Sequence, residues 1–180
     1  MRNLSNLSSA LLLLCVGGCA SVVTEGANIA RDKVVVSQNI DSARAGDVEA
    51  QYRVGKALCC SINEGEGFYN TPAAVGWLCS AAEQAHGRAA LEVGDIYSGD
   101  VVSGIRVLRR IAQKAAGNTT RRATAYAWYR RAEELKVRDA RDRATSLWAD
   151  MNAAERRDAE LFVLGRKPLL CRWGDVVGKS

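Results

Sequence analysis

Small residues recur at fixed offsets along the first two thirds of the chain, and this feature constrains the fold most. The segments ARAGDVEAQYRVGKAL (Ala43–Leu58) and AAEQAHGRAALEVGDIY (Ala81–Tyr97) align at an offset of 39 residues, which places Gly55 on Gly94. The segments AAVGWLCSAAE and TAYAWYRRAEE align at an offset of 51 residues. Self-similarity at such periods is typical of repeat proteins, in which each unit stacks on its neighbours.

The apolar residues of both segments have helical spacing. Ala50, Val54 and Leu58 lie at i, i+4 and i+8, and residues with this spacing form one stripe of a helix. The pattern predicts a hairpin of two helices near 47–60 and 71–84, followed by a new helix that begins near Gly87. Thr71 is the predicted N-cap of the second helix, with Pro72 in its first turn.

The combined pattern, A-x-x-x-x-G-x-x-Y followed by A-x-x-W-x-x-x-A-A, resembles the Sel-one-like repeat family, which is related to tetratricopeptide repeats. The resemblance covers about residues 43–150 and departs from the family at Leu58, Ala85 and a third helix at Asp139–Asp150 that lacks the glycine. It implies an all-α fold: a short right-handed solenoid of antiparallel helix hairpins. It also implies adaptor activity, without naming a partner.

The small residues predict close packing between helices. Gly94 is expected to leave room for a neighbouring aromatic ring, and Trp77 and Tyr97 are expected to fill the spaces between hairpins. Close approach is expected at four alanines: Ala81, Ala82, Ala89 and Ala90. A larger side chain at these positions would overpack the core.

Two further helices and a tail are predicted beyond the repeated segments. The amphipathic stretch at about 104–116 predicts an inserted helix, and insertions of this kind often supply binding surface. Asn152 and Glu155 can form a capping box at the start of a capping helix near 153–164. The repeat domain is therefore expected to span 43–165, and the apolar tail at 166–180 is expected to fold back onto it.

The first residues predict an export signal. Four consecutive leucines at 11–14 are followed by small residues and Cys19. This apolar run is shorter than the roughly 20 residues that a permanent membrane span needs. It resembles the lipobox of bacterial lipoproteins, which implies a signal peptide at 1–18, lipidation of Cys19 and an anchor and linker at 19–42. With Ala20 next to Cys19, the resemblance implies the periplasmic side of the outer membrane. The alternative is an ordinary signal peptide cleaved near Ala20.

Four cysteines remain beyond the signal and the anchor: Cys59, Cys60, Cys79 and Cys171. An even number in an oxidising compartment favours disulfides. A bond between the neighbours Cys59 and Cys60 would be strained, so we expect one of them to pair with Cys79 and the other with Cys171. Which cysteine takes which partner stays open.

The sequence favours binding over catalysis. It has one histidine, His86, no C-x-x-C pair, and no nucleophile–histidine–acid set, phosphate loop or calcium loop. We therefore expect no enzymatic activity, no metal and no cofactor. Glu64 and Glu66 are interpreted as a solvated turn.

The partner is expected to be a protein or peptide in the cell envelope. The weak candidates for contact on a concave surface lie on the first helix of each hairpin: Gln51, Arg53, Lys56, Glu92 and Asp95. Residues 101–180 carry 18 basic and 9 acidic side chains, so this half is basic. Its candidates for a charged contact are Arg106, Arg109, Arg110, Arg121 and Arg122. The alternative role is structural, with the arginines binding anionic cell-wall or lipopolysaccharide groups. Export makes nucleic acid an unsuitable partner.

Overall fold

The computed structural model describes residues 27–60, 68–99, 121–172 and 174, and within these residues it contains helices and no strand. The predicted all-α class is thus confirmed at this level. The helices are α1 (27–44), α2 (Val48–Leu58), α3 (Thr71–Glu83), α4 (Gly87–Ser98), α5 (Arg122–Glu134), α6 (Ala140–Asp150) and α7 (Ala153–Val163). None of the described helices has the length and hydropathy of a membrane span. The predicted inserted helix at 104–116 and Cys19 lie outside the described residues.

The start of α3 differs from the prediction by one residue. Asn70, not Thr71, is the N-cap, because its side-chain oxygen accepts a hydrogen bond from the backbone N–H of Ala73 at 3.0 Å. The Thr71 hydroxyl instead accepts a hydrogen bond from the backbone N–H of Cys60 at 3.2 Å. Thr71 therefore ties the end of the preceding segment to the start of α3.

The segments that precede α2 and follow α6 also form helices. The segment expected to be a linker is helical from residue 27, and α1 packs against α2 through Ile40 and the buried Ala43. At the other end, the predicted capping box is present: Asn152 accepts from backbone N–H groups of the first turn, and Glu155 accepts from the N–H of Asn152. Gly165 follows α7 with a left-handed backbone, φ 67°.

From α2 to α6, consecutive helices pack against one another. Helix α2 contacts α3, α3 contacts α4, and α4 contacts α5, which in turn contacts both α6 and α7. The four alanines predicted to mediate close approach have no exposed surface, and Tyr97 is only 2% exposed. Trp77 is half-buried and packs on a smaller cluster formed by Ala43, Ala50 and Val54.

Two glycines allow the closest contacts between helices. A Cβ atom added at Gly94 would lie 2.5 Å from Cδ1 of Tyr129 on α5, so the prediction that Gly94 makes room for an aromatic ring is confirmed. A Cβ atom at Gly55 would lie 2.8 Å from Cγ of Leu78 and 3.1 Å from the carbonyl oxygen of Ala74. Because these distances are shorter than carbon atoms tolerate, only glycine fits at either position without a shift of Leu78 or Tyr129 or of the helices that carry them.

Helices α3 and α5 end in the same way. Ala85 (φ 63°) follows α3 and Lys136 (φ 62°) follows α5, and both have the left-handed backbone that usually calls for glycine. In both cases the next amide N–H donates to the carbonyl of the residue five positions earlier, at 3.0 Å. This hydrogen bond is the Schellman arrangement, which turns the chain sharply into the following segment.

Candidate partner-binding groove

A groove of about 820 Å³ lies between α2, α4 and the segment that joins α5 to α6. We call it the α2–α4 groove. Its lining comprises Glu49, Tyr52 and Lys56 of α2, His86 at the cap of α4, Gly87, Arg88, Leu91 and Glu92 of α4, and Leu135, Lys136, Val137, Arg138 and Asp139 of the connecting segment. The groove is open to solvent and mixes charged with apolar side chains.

His86 forms part of one wall and is held by three contacts. Its Nδ1 accepts a hydrogen bond from the backbone N–H of Ala89 at 3.1 Å, so the imidazole caps α4. Its ring stacks on Tyr52 with centroids 4.5 Å apart, and its Nε2 lies 3.0 Å from a carboxylate oxygen of Glu49. Because Nδ1 is an acceptor here, the proton of the neutral ring lies on Nε2 and is donated to Glu49.

Glu49 and Lys56 also have partners. The hydrogen bond from His86 is the main reason why the pKa of Glu49 lies below its usual value, and Arg53 contributes through a hydrogen bond at 2.9 Å. Lys56 lies 3.4 Å from a carboxylate oxygen of Glu92. Burial lowers the pKa of Lys56, but Glu92 and Tyr52 outweigh this and raise it. The polar groups of this wall therefore satisfy one another.

Three further lining residues are cations without an ion pair. Arg88, Lys136 and Arg138 are exposed and form no ion pair with any other residue in the described part of the chain, although Lys136 is near enough to Glu133 to help lower the pKa of that carboxyl. Asp139 belongs to the same lining and likewise forms no ion pair there. The lining thus combines paired charges of α2 and α4 with three cations and one carboxylate that form no ion pair.

Asp95 belongs to a buried polar cluster. The Tyr129 hydroxyl donates to its carboxylate at 2.8 Å, Arg143 of α6 forms an ion pair with the same carboxylate oxygen, and Ser98 contacts the Tyr129 hydroxyl at 3.0 Å. Burial raises the pKa of Asp95 above its usual value, against the influence of Tyr129 and Arg143. Burial also raises the pKa of Tyr129. The cluster therefore links α4, α5 and α6 internally.

The structure separates the five candidates on α2 and α4. Lys56 and Glu92 line the α2–α4 groove, and the exposed Arg53 lies beside it, bound to Glu49. Gln51 and Asp95 are only 6% and 7% exposed. The side chain of Gln51 donates to the carbonyl of Ala43 at 3.3 Å, so both residues have internal partners and the expectation that they face a partner does not hold.

The arginine candidates lie elsewhere. Arg106, Arg109 and Arg110 are outside the described residues. Arg121 precedes α5, and Arg122 donates to the carbonyl of Asp150 at 3.1 Å and lies 3.7 Å from Glu155, which ties α5 to the α6–α7 junction. Neither of these two arginines lines the groove.

Sequence reasoning missed part of the groove because its walls come from distant segments. The sequence assigned no role to His86. In the structure it caps α4 through an Nδ1 acceptor that the sequence pattern does not reveal. One sequence signal pointed to part of this lining. The alignment at an offset of 51 residues places Lys136, and Arg138 beside it, at the turn equivalent to the one at Ala85.

The cysteine pairing expected from the sequence is wrong. Cys79 of α3 pairs with Cys171 of the tail, with Cα atoms 5.6 Å apart, and Cys59 pairs with its neighbour Cys60. The tail explains this: Trp128 donates through Nε1 to the carbonyl of Leu170 at 2.9 Å, which brings the next residue onto α3. The described part of the tail, through Arg172, folds back onto the core as expected.

No group of three or more His, Cys, Asp or Glu side chains able to hold a metal ion occurs in the described residues. No protein-family model matches the chain, and no curated protein or solved structure matches it significantly. The resemblance to Sel-one-like repeats therefore stays a proposal.

Proposed function

We propose that this chain is a lipoprotein on the periplasmic side of the outer membrane, where it acts as a non-catalytic adaptor that binds a protein or peptide. The observation that carries the adaptor role is the α2–α4 groove. Its volume of about 820 Å³ is that of a typical ligand site, and apolar side chains line it beside unpaired cations. Such a surface offers both apolar contact and charge to a partner.

The proposed architecture is a short right-handed α-solenoid of Sel-one-like hairpins, with α7 as the cap. Helix α4 begins 39 residues after α2, and α5 begins and ends 51 residues after α3. The same offsets relate the contact between Gly55 and Leu78 to the contact between Gly94 and Tyr129. Two hairpins with equivalent bounds and equivalent closest contacts are what stacked copies of one unit would have.

The membrane location rests on the lipobox-like segment that ends at Cys19. Attachment of two or more acyl chains at this residue would hold the protein stably at the membrane surface. Replacing Cys19 by Ser is expected to move the protein from the membrane fraction to the soluble periplasmic fraction. Retention of the variant in the membrane fraction would contradict the anchor.

A non-catalytic role fits the chemistry of the groove. Its one histidine is occupied as a helix cap and as a donor to Glu49, and its lysine at position 56 is paired with Glu92. Among the described residues, no serine, threonine or cysteine lines the groove beside them. These polar groups stabilise the wall, so the groove is suited to binding.

The alternative, in which arginines of the C-terminal half bind anionic envelope polymers, receives less support. All five arginines of α5 and α6 already have acidic partners within the chain: Arg122, Arg130, Arg131, Arg141 and Arg143. Paired arginines contribute little to the attraction of a polyanion.

Crosslinking in intact cells tests the adaptor role. A photoreactive amino acid replaces Lys56, which is exposed and lines the groove, or Glu160, an exposed residue of α7 that serves as the matched control. We expect one discrete protein adduct from position 56 and none from position 160. No protein adduct from the groove, or the same adducts from both positions, would refute the adaptor role.

A further inference from the structure

We infer that the α2–α4 groove binds an acidic segment of its partner, with carboxylates placed against Arg88, Lys136 and Arg138 and apolar side chains between them. This inference rests on the proposed adaptor function and specifies the chemistry of the partner. Three observations support it: the lining contains cations without an ion pair, apolar side chains line the groove with them, and the backbone that carries the cations is closely packed.

The charges of the groove point to an anionic occupant. Arg53 and Lys56 already balance the charges of Glu49 and Glu92, at distances of 2.9 Å and 3.4 Å. The unpaired groups of the described lining are three cations and the single carboxylate of Asp139, which leaves a net charge of +2. Complementary charges across an interface steer encounter and select partners.

Apolar surface accompanies these cations. Leu91 of α4 and Leu135 and Val137 of the connecting segment are half-buried and line the groove. A segment that alternates acidic and apolar residues would cover this surface and reach the cations at the same time. A uniformly charged polysaccharide would leave the apolar side chains without contact, so a peptide segment fits the groove better.

The two backbone segments that carry the cations pack closely on each other. A Cβ atom added at Gly87 would lie 2.6 Å from Cγ2 of Val137 and 3.0 Å from Cβ of Leu135, so the start of α4 packs directly on the connecting segment. Arg88 is therefore adjacent to a contact that also positions Lys136 and Arg138. Binding to side chains on a fixed backbone loses less conformational entropy than binding to a loose loop.

Binding of defined peptides to the full chain in detergent tests the inference by fluorescence anisotropy. The probe is a fluorescein-labelled peptide in which Asp and Glu alternate with Val and Leu, and its control has Asn and Gln in place of the acids. We expect the acidic probe to bind about tenfold or more tightly, and its affinity to fall as salt rises. Equal affinity for the two peptides would overturn the inference.

Variants of the chain locate the site. Arg88→Gln, Lys136→Gln and Arg138→Gln should each weaken binding of the acidic probe about two- to fivefold, as expected for exposed charge pairs. Arg157→Gln, at an exposed arginine of α7 without an ion pair in the described residues, is the matched control and should leave binding unchanged. Equal losses in all four variants would show binding to general positive charge and overturn the inference.

The triple Gln variant at positions 88, 136 and 138, combined with the photoreactive residue at position 56, separates this inference from the adaptor role. Loss of the protein adduct would support both. An unchanged protein adduct would overturn the acidic segment and leave the adaptor role standing. Absence of any protein adduct from the parent chain would overturn the adaptor role itself, and recovery of polysaccharide alone would favour the structural alternative.

Discussion

Replacement of Gly94 by Ala tests the closest contact between α4 and α5. The added Cβ atom would lie 2.5 Å and 2.6 Å from two ring carbons of Tyr129 and 3.4 Å from the carbonyl oxygen of Ala125. The Tyr129 ring has little freedom to move, because the residue is 1% exposed and its hydroxyl is bonded to Asp95 and Ser98. The substitution therefore forces either the ring or the helix to shift.

The magnitude follows from two opposing effects. Alanine in a helix interior is favoured over glycine by about 1 kcal/mol, and overpacking of a filled core costs about 1–3 kcal/mol. Gly76→Ala in α3 is the matched control, because no atom lies within 4 Å of the added Cβ and only the helix preference changes. We expect the free energy of unfolding of Gly94→Ala to be about 1–3 kcal/mol below that of Gly76→Ala.

Urea unfolding of the oxidised protein, followed by far-ultraviolet circular dichroism, measures this difference. Thermal unfolding should show a midpoint lower by about 2–4 °C for each kcal/mol in a chain of this size. If Gly94→Ala proves as stable as Gly76→Ala, the close approach of α4 and α5 at Tyr129 is wrong.

Three other perturbations test the buried cluster, the disulfide and the cap of α4. The raised pKa of Asp95 means that, above its usual value of 3.8, the folded state retains a proton that the unfolded state has lost. Stability from this group is thus present below pH 3.8 and declines as pH rises through the folded pKa; the urea midpoint of wild type relative to Asp95→Asn should fall as pH rises above 3.8, and a constant difference would contradict this. Replacing Cys79 and Cys171 by Ser should lower the free energy of unfolding by about 4–5 kcal/mol, and non-reducing peptide mapping of wild type should find these two residues joined, whereas a link from either to another cysteine would refute the pairing. His86→Ala should be about 1 kcal/mol less stable than His86→Asn in urea, because Asn can still cap α4; equal stability of the two variants would argue against the cap.

The sequence predicted most of the helical framework because that framework depends on local patterns. Spacing of small and apolar residues located α2 to α4, and the capping box of Asn152 and Glu155 located the start of α7. The N-cap of α3 was misplaced by one residue because Asn70 and Thr71 can both cap a helix. Only the contact of Thr71 with Cys60, eleven residues away, decides between them.

The groove and the disulfide depended on contacts that are distant in the sequence. The pairing of Cys79 required the path of the tail, which is set by hydrogen bonds of Leu170 and Arg172 to rings on α5 and α4. Asp95 was taken for a surface residue because a helix pattern does not reveal a buried arginine partner on another helix. The periodicity of a sequence shows which face of a helix is apolar. It does not show which polar residues are buried beside that face.

The bond between Cys79 and Cys171 changes how the helical array can come apart. In an open array, the last helices can detach one after another while the earlier ones stay folded. Here a covalent link joins Cys171 of the tail to Cys79 of α3, 92 residues earlier. The closed loop of chain contains α4, α5, α6 and α7. Under tension applied at the two chain ends, this loop would not lengthen until the bond is reduced. If Cys19 carries the proposed anchor, a force that pulls on the chain would therefore act first on α1 and α2.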